Sequence, residues 1–156
     1  MRIRKARKED INAIIGLQID LIKHLQKVNP ERYAVSGLGK REFKEKLLKW
    51  LKDKKTIIYV AEENNKVVGF SVGKIRKYPG FVRYKLYGDL FEISVSPEHR
   101  HKGIGTKLAN TTIDFFRKKG IRIVEGLVEN KNKTAREAWK KIGFKDELTI
   151  IVKRLK

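Results

Sequence analysis

The chain has 156 residues, 40% of them hydrophobic and 36% charged, which fits one folded domain and excludes a disordered tail. It has no cysteine, so disulfides, thiolate-ligated zinc and thiol nucleophiles are out, and three histidines (His24, His99, His101) are too few to expect a metal site. With 38 Lys+Arg against 18 Asp+Glu the net charge is +20, which points towards polyanions such as phosphate-rich cofactors, nucleic acid or ribosomal surfaces, a merely solvated basic surface being the alternative.

Ile3 and its neighbours read as a short strand. Asp10 then precedes Ile11, Ile14, Ile15, Leu17, Leu21, Ile22 and Leu25, a helical spacing that ends near Asn29-Pro30. Phe43, Leu47, Leu48 and Leu51 form a second helical stripe, broken off by Asp53. Between the two stripes, Gly37-Leu38-Gly39 reads as a flexible stretch suited to a substrate lid. Thr56–Ala61 is a strand, and Glu63-Asn64-Asn65-Lys66 turns it into a second one, Val67–Ile75. After a turn at Tyr78-Pro79-Gly80 a long strand runs from about Val82 to Val95. Leu108, Ile113, Phe115 and Phe116 mark a helix that stops at Gly120; Ile121–Val128 is a strand, Thr134–Ile142 a helix and Leu148–Leu155 a closing strand. The order β-α-α-β-β-β-α-β-α-β predicts one α/β domain over 1–156, a mixed sheet flanked by helices.

The stretch from Val95 to Leu108 is the most informative. A strand stops at Pro97, and a turn carrying Gly103 and Gly105 opens a helix. Unpaired amides and the helix dipole make such a start an anion site, and glycine keeps side chains off those amides. Arg100, His101, Lys102 and Lys107 surround it with donors. A Walker loop is excluded by order and spacing at Gly105-Thr106-Lys107, and a dinucleotide fingerprint by the missing third glycine.

Arg100-His101-Lys102-Gly103-Ile104-Gly105 resembles the Arg/Gln-x-x-Gly-x-Gly/Ala motif of the Gcn5-related N-acetyltransferases (GNAT superfamily). Asn132-Lys133-Thr134-Ala135, followed by Trp139-Lys140-Lys141-Ile142-Gly143-Phe144, resembles that family's second motif, Asn-x-x-Ala…Tyr-x-x-x-Gly-Phe. The resemblance covers nearly the whole chain. It implies acetyl-CoA as co-substrate, its pyrophosphate held by the turn Arg100–Thr106, with Ile104 and the two glycines lending their amides. It also implies that the pantetheine arm lies against Ile93-Ser94-Val95, with Ile93 and Val95 offering backbone groups and the Ile93 N–H facing the thioester carbonyl. Asn132, Ala135 and Trp139 would flank the arm from the last helix. The acyl group would pass directly to an amine within a ternary complex.

An ammonium must lose a proton before it attacks. Two carboxylates on the strand before the cradle are candidates for that base: Asp89, taken first, and Glu92. Strict alternation puts them on opposite faces, and a bulge would change that parity. The tyrosine that protonates the departing thiolate in the family aligns with Trp139, whose indole N–H has no usable acidity. Unassisted departure, another phenol (Tyr84 or Tyr87) and weak catalysis by a CoA-binding protein all stay open.

The expected protein is therefore a cytoplasmic acetyl-CoA-dependent N-acetyltransferase with no metal and no membrane association, monomeric or homodimeric, acting on an amine not named by the sequence. Many Lys and Ile with two Gln suggest a hot-living source. The rival from another class is a basic nucleic-acid or ribosome-binding module on the same fold.

Overall fold

A computed structural model describes residues 1–155. Five strands form one sheet in the order β1 (Arg2–Lys5), β2 (Thr56–Glu63), β3 (Lys66–Lys77), β4 (Leu86–Val95) and β5 (Val124–Glu125). All neighbours are antiparallel except β4 and β5, which run parallel. Helices α1 (Ile11–Val28) and α2 (Gly37–Trp50) cover one face; α3 (Ile104–Lys118) and α4 (Lys133–Lys141) belong to the other.

The apolar stripes read from the sequence are the ones buried. Ile11, Ile14, Ile15 and Leu17 of α1 and Leu47 of α2 pack on Ile58, Val60, Phe70 and Val72. Leu108 and Ile104 of α3 meet Ala61 and Val68, and Ala109 and Phe116 meet Leu90. A buried hydroxyl pair ties α3 to β3. Thr112 Oγ1 donates to the Leu108 carbonyl at 3.0 Å, which leaves Ser71 Oγ to donate to Thr112 at 2.8 Å. No buried hydroxyl in this pair lacks a partner, as a dry interface requires. Phe116 lies so close to the sheet that only glycine fits beneath it: a Cβ on Gly73 would sit 2.7 Å from its ring, and one on Gly88 2.5 Å.

The long strand is shorter than the sequence suggests, beginning at Leu86, because the Tyr78-Pro79-Gly80 turn widens into a loop up to residue 85. Gly37-Leu38-Gly39 is no flexible stretch but the first turn of α2, capped where Ser36 Oγ accepts the Gly39 N–H at 2.9 Å. The expected strand Ile121–Val128 shrinks to Val124–Glu125, paired with Gly88 and Asp89 alone. The expected closing strand Leu148–Leu155 is not formed among the described residues, and Leu148, Ile151 and Leu155 stand exposed. A strand needs a partner edge to satisfy its amides, and two paired residues in β5 offer almost none.

Gly88→Ala should lower the unfolding free energy by about 1–3 kcal/mol through overpacking against Phe116. Adding Phe116→Leu should recover part of that loss in denaturant titrations. Equal midpoints for Gly88→Ala and the unaltered chain would contradict the close approach.

Candidate functional site

The site is organised by an irregularity in β4. Leu90 stands opposite Gly73 and Glu92 opposite Val72, so Phe91 is an extra residue, a β-bulge. Cross-strand partners share a face of the sheet. Lys74 and Val72, the partners of Asp89 and Glu92, are two apart, so the bulge brings both carboxylates to the α1/α2 face. Phe91 points there too, edge-on to Trp50 at 5.2 Å. Leu90 and Ile93 belong to the α3 face.

The two carboxylates meet different surroundings. Asp89 is engaged by Arg76, whose Nε donates to Oδ2 at 2.5 Å, while the Arg76 guanidinium lies over the Phe91 ring. Glu92 lines a cleft of about 280 Å³ between α1, α2 and β4, with Ile15, Gln18, Ile19, Phe43 and Lys46 around it. Burial pushes its carboxyl up to about 7, against the pull of the Gln18 bond and the Lys46 charge. Gln18 Nε2 donates to Glu92 Oε1 at 3.3 Å, and Gln18 Oε1 is buried with no hydrogen-bond partner. Gln18 was not singled out from the sequence. The signal was there: a polar residue inside the apolar stripe, four after Ile14 and three after Ile15.

On its other edge β4 is open. Among the described residues only Gly88 and Asp89 pair with β5, and the stretch from Leu90 to Val95 has no strand beside it there. The Ser96 N–H bonds the Val68 carbonyl on β3, and antiparallel alternation then turns the amides of Ile93 and Val95 to the open edge. Ser94 faces away, its backbone in the β3 ladder and its hydroxyl donating to the Leu17 carbonyl at 3.0 Å. The Val95 carbonyl accepts from Arg100 Nε at 3.1 Å, which pins the following turn to the strand end.

That turn leaves α3 uncapped. His101 (φ 62°) and Gly103 (φ 75°) adopt left-handed backbone, and no side chain caps the helix start at Gly103. Ile104 is buried in the core, so it contributes its amide only. No atom lies within 4 Å of a Cβ built on Gly103, and one on Gly105 would touch only Val95 at 3.8 Å and Ile93 at 4.0 Å. The space before the amides is thus open, with exposed His101, Lys102 and Thr106 at its rim. It fits an anion by charge and by shape.

From α4, Asn132 spends its side-chain oxygen on the helix start, accepting the Ala135 N–H at 3.2 Å. Trp139 packs edge-on to Phe144 at 4.6 Å and covers Gly126, where a Cβ would stand 3.0 Å from its ring. Its role in the fold is packing beside Leu90 and Phe116. Tyr87 stacks on Tyr78, which donates to Glu125; burial pushes both phenols up, which makes them weaker acids. Tyr84 lies in the loop before β4, under the Arg83 guanidinium.

The sequence profile of the acetyltransferase (GNAT) family matches residues 21–144. An uncharacterized N-acetyltransferase of Methanocaldococcus jannaschii, MJ1207, is 36% identical over 120 residues, 73% of this chain and 53% of its own. The chain therefore spans about half the length of that relative. An uncharacterized N-acetyltransferase of Archaeoglobus fulgidus is 31% identical over 140 residues, 89% of each chain. Among solved structures, the aminoglycoside N-acetyltransferase AAC(6')-Iy, crystallised with CoA, superposes with a TM-score of 0.77 at 18% identity, covering 99% of this chain and 93% of its own.

Glu92 also leaves a mark on stability. Its carboxyl titrates near 4.5 when unfolded and near 7 when folded, so between those values the folded state holds the extra proton. The contribution of Glu92 to stability is then most favourable below pH 4.5 and declines as pH rises towards 7. Glu92→Gln should remove that fall, gaining up to about 3 kcal/mol on the unaltered protein between pH 4.5 and 8. Parallel pH profiles of denaturant stability would contradict the raised carboxyl.

Proposed function

The chain belongs to the acetyltransferase (GNAT) family, and on that footing we propose that it moves an acetyl group from acetyl-CoA to a primary amine by direct transfer. The observation that carries the reading is Glu92, a half-buried carboxyl pushed up to about 7 in a cleft beside an open strand edge. In this reading the amides at Gly103–Thr106 hold the pyrophosphate, with Lys102 and His101 beside it. The arm lies along the open edge and meets the N–H groups of Ile93 and Val95. The Ile93 N–H then stabilises the oxyanion that develops on the thioester carbonyl.

Glu92 accepts a proton from the acceptor ammonium, and the freed nitrogen lone pair forms the new N–C bond. The C–S bond breaks, and the electron pair leaves on sulfur. No group placed here is a good acid for that sulfur, since Trp139 is locked in packing and Tyr87 in its stack. The thiolate departs unassisted and takes its proton from water. Asp89 holds Arg76, whose guanidinium lies over the Phe91 ring, rather than the amine.

Two experiments test this. Glu92→Gln should cut turnover by about 10²–10⁴-fold and abolish the acidic limb of kcat/KM near pH 7, with CoA affinity retained. Asp89→Asn should change the rate by only a few-fold. A full rate and an unchanged profile in Glu92→Gln would move the base elsewhere. Gly105→Asp should eliminate CoA binding in calorimetry while the fold is kept, because it fills the cradle and adds negative charge; undiminished affinity would overturn the cradle.

A further inference from the structure

Resting on the reading of Glu92 as base, we propose that the acceptor is a small zwitterion, an α-amino acid with an apolar side chain. Its amine would sit at Glu92 and Gln18, its carboxylate at Lys46, and its side chain against Ile15, Ile19 and Phe43.

Four observations converge on that shape. The cleft, at about 280 Å³, lies at the small end of ligand sites and suits one amino acid rather than a multi-ring polyamine. Glu92 accepts from Gln18 Nε2 at 3.3 Å and makes no ion pair among the described residues, which leaves its carboxylate lone pairs to accept from an amine, while the neighbouring Gln18 amide still has a buried oxygen without a hydrogen-bond partner. Lys40 and Lys46 line the same cleft, and neither makes an ion pair among the described residues. Glu42 is the one further carboxylate in the lining, so two cations face two carboxylates. A cleft with balanced lining on a chain of net charge +20 repels a polycation, whereas a zwitterion adds no net charge and gives Lys46 an anion. The remaining wall, with Ile15, Ile19, Ile22 and Phe43, is apolar and accepts a hydrocarbon side chain.

Pairing at Lys46 also serves the chemistry. The Lys46 charge pulls the Glu92 carboxyl down. A substrate carboxylate beside Lys46 offsets that pull and makes Glu92 a stronger base at the moment the amine arrives.

The test measures CoA release from acetyl-CoA with L-leucine, L-methionine, leucinamide, spermidine and kanamycin, with products identified by mass. Leucine and methionine should exceed leucinamide about 10- to 100-fold in kcat/KM, the scale of one hydrogen bond to a charged group, and the polycations should be poorer still. Lys46→Met should shrink the leucine-over-leucinamide ratio to within about threefold, mainly by raising KM for leucine. Leucinamide, spermidine or kanamycin turned over as well as leucine would overturn the zwitterion while leaving the transferase reading intact. A Lys46→Met variant that loses leucine and leucinamide activity equally would overturn the carboxylate contact. CoA binding without acetylation of any of these amines would overturn both readings.

Discussion

The extra residue at Phe91 sets the geometry on both sides of β4. Without it, Asp89 and Glu92 would face opposite ways, and the carboxyl in the cleft would lie in the α3 core. With it, Phe91 and Glu92 point together towards α1 and α2, while Ile93 and Val95 turn their amides to the other edge. A bulge bends its strand and strengthens the local twist, and β4 parts from β5 directly beyond Asp89. One backbone irregularity thus accompanies an open edge on one side of β4 and turns Glu92 into the cleft on the other.

Burying Glu92 opposes folding, and the surroundings show how that cost is limited. Among the described residues the carboxyl has one hydrogen bond, from Gln18, and no direct ion pair, so desolvation dominates and pushes it up to about 7. A tight pair with arginine would have held it ionised and useless as a proton acceptor that must also release its proton. Asp89, three residues away, is instead engaged directly by Arg76. The two carboxylates differ in environment rather than in distance along the strand, and the roles proposed for them rest on that difference.

Much of this was legible in the residues. Helical periodicity marked α1, α2 and α3, and Gly103-Ile104-Gly105 after a strand marked the uncapped helix. The bulge was not legible, because Phe91-Glu92 reads equally as ordinary alternation or as a doubled residue; only pairing with β3 decides it. Asp89 therefore stood ahead of Glu92 in the sequence; the structure shows Glu92 lining the cleft, and the proposed choice of Glu92 as base rests on that. Gly37-Leu38-Gly39 looked flexible because glycine disfavours helix interiors, yet Ser36 caps it and Leu47 anchors the helix further on. Leu148–Leu155 has the composition of a strand but lacks a partner edge among the described residues, and composition alone cannot supply one.

The central claim is a neutral-range carboxyl at Glu92, and the most direct measurement is its own titration. Carbon-13 NMR of protein labelled at the glutamate side-chain carboxyls, with Glu92→Gln to assign the resonance, follows that single group. The structure predicts a midpoint near 7. A Glu92 resonance that titrates near 4.5 would contradict the account.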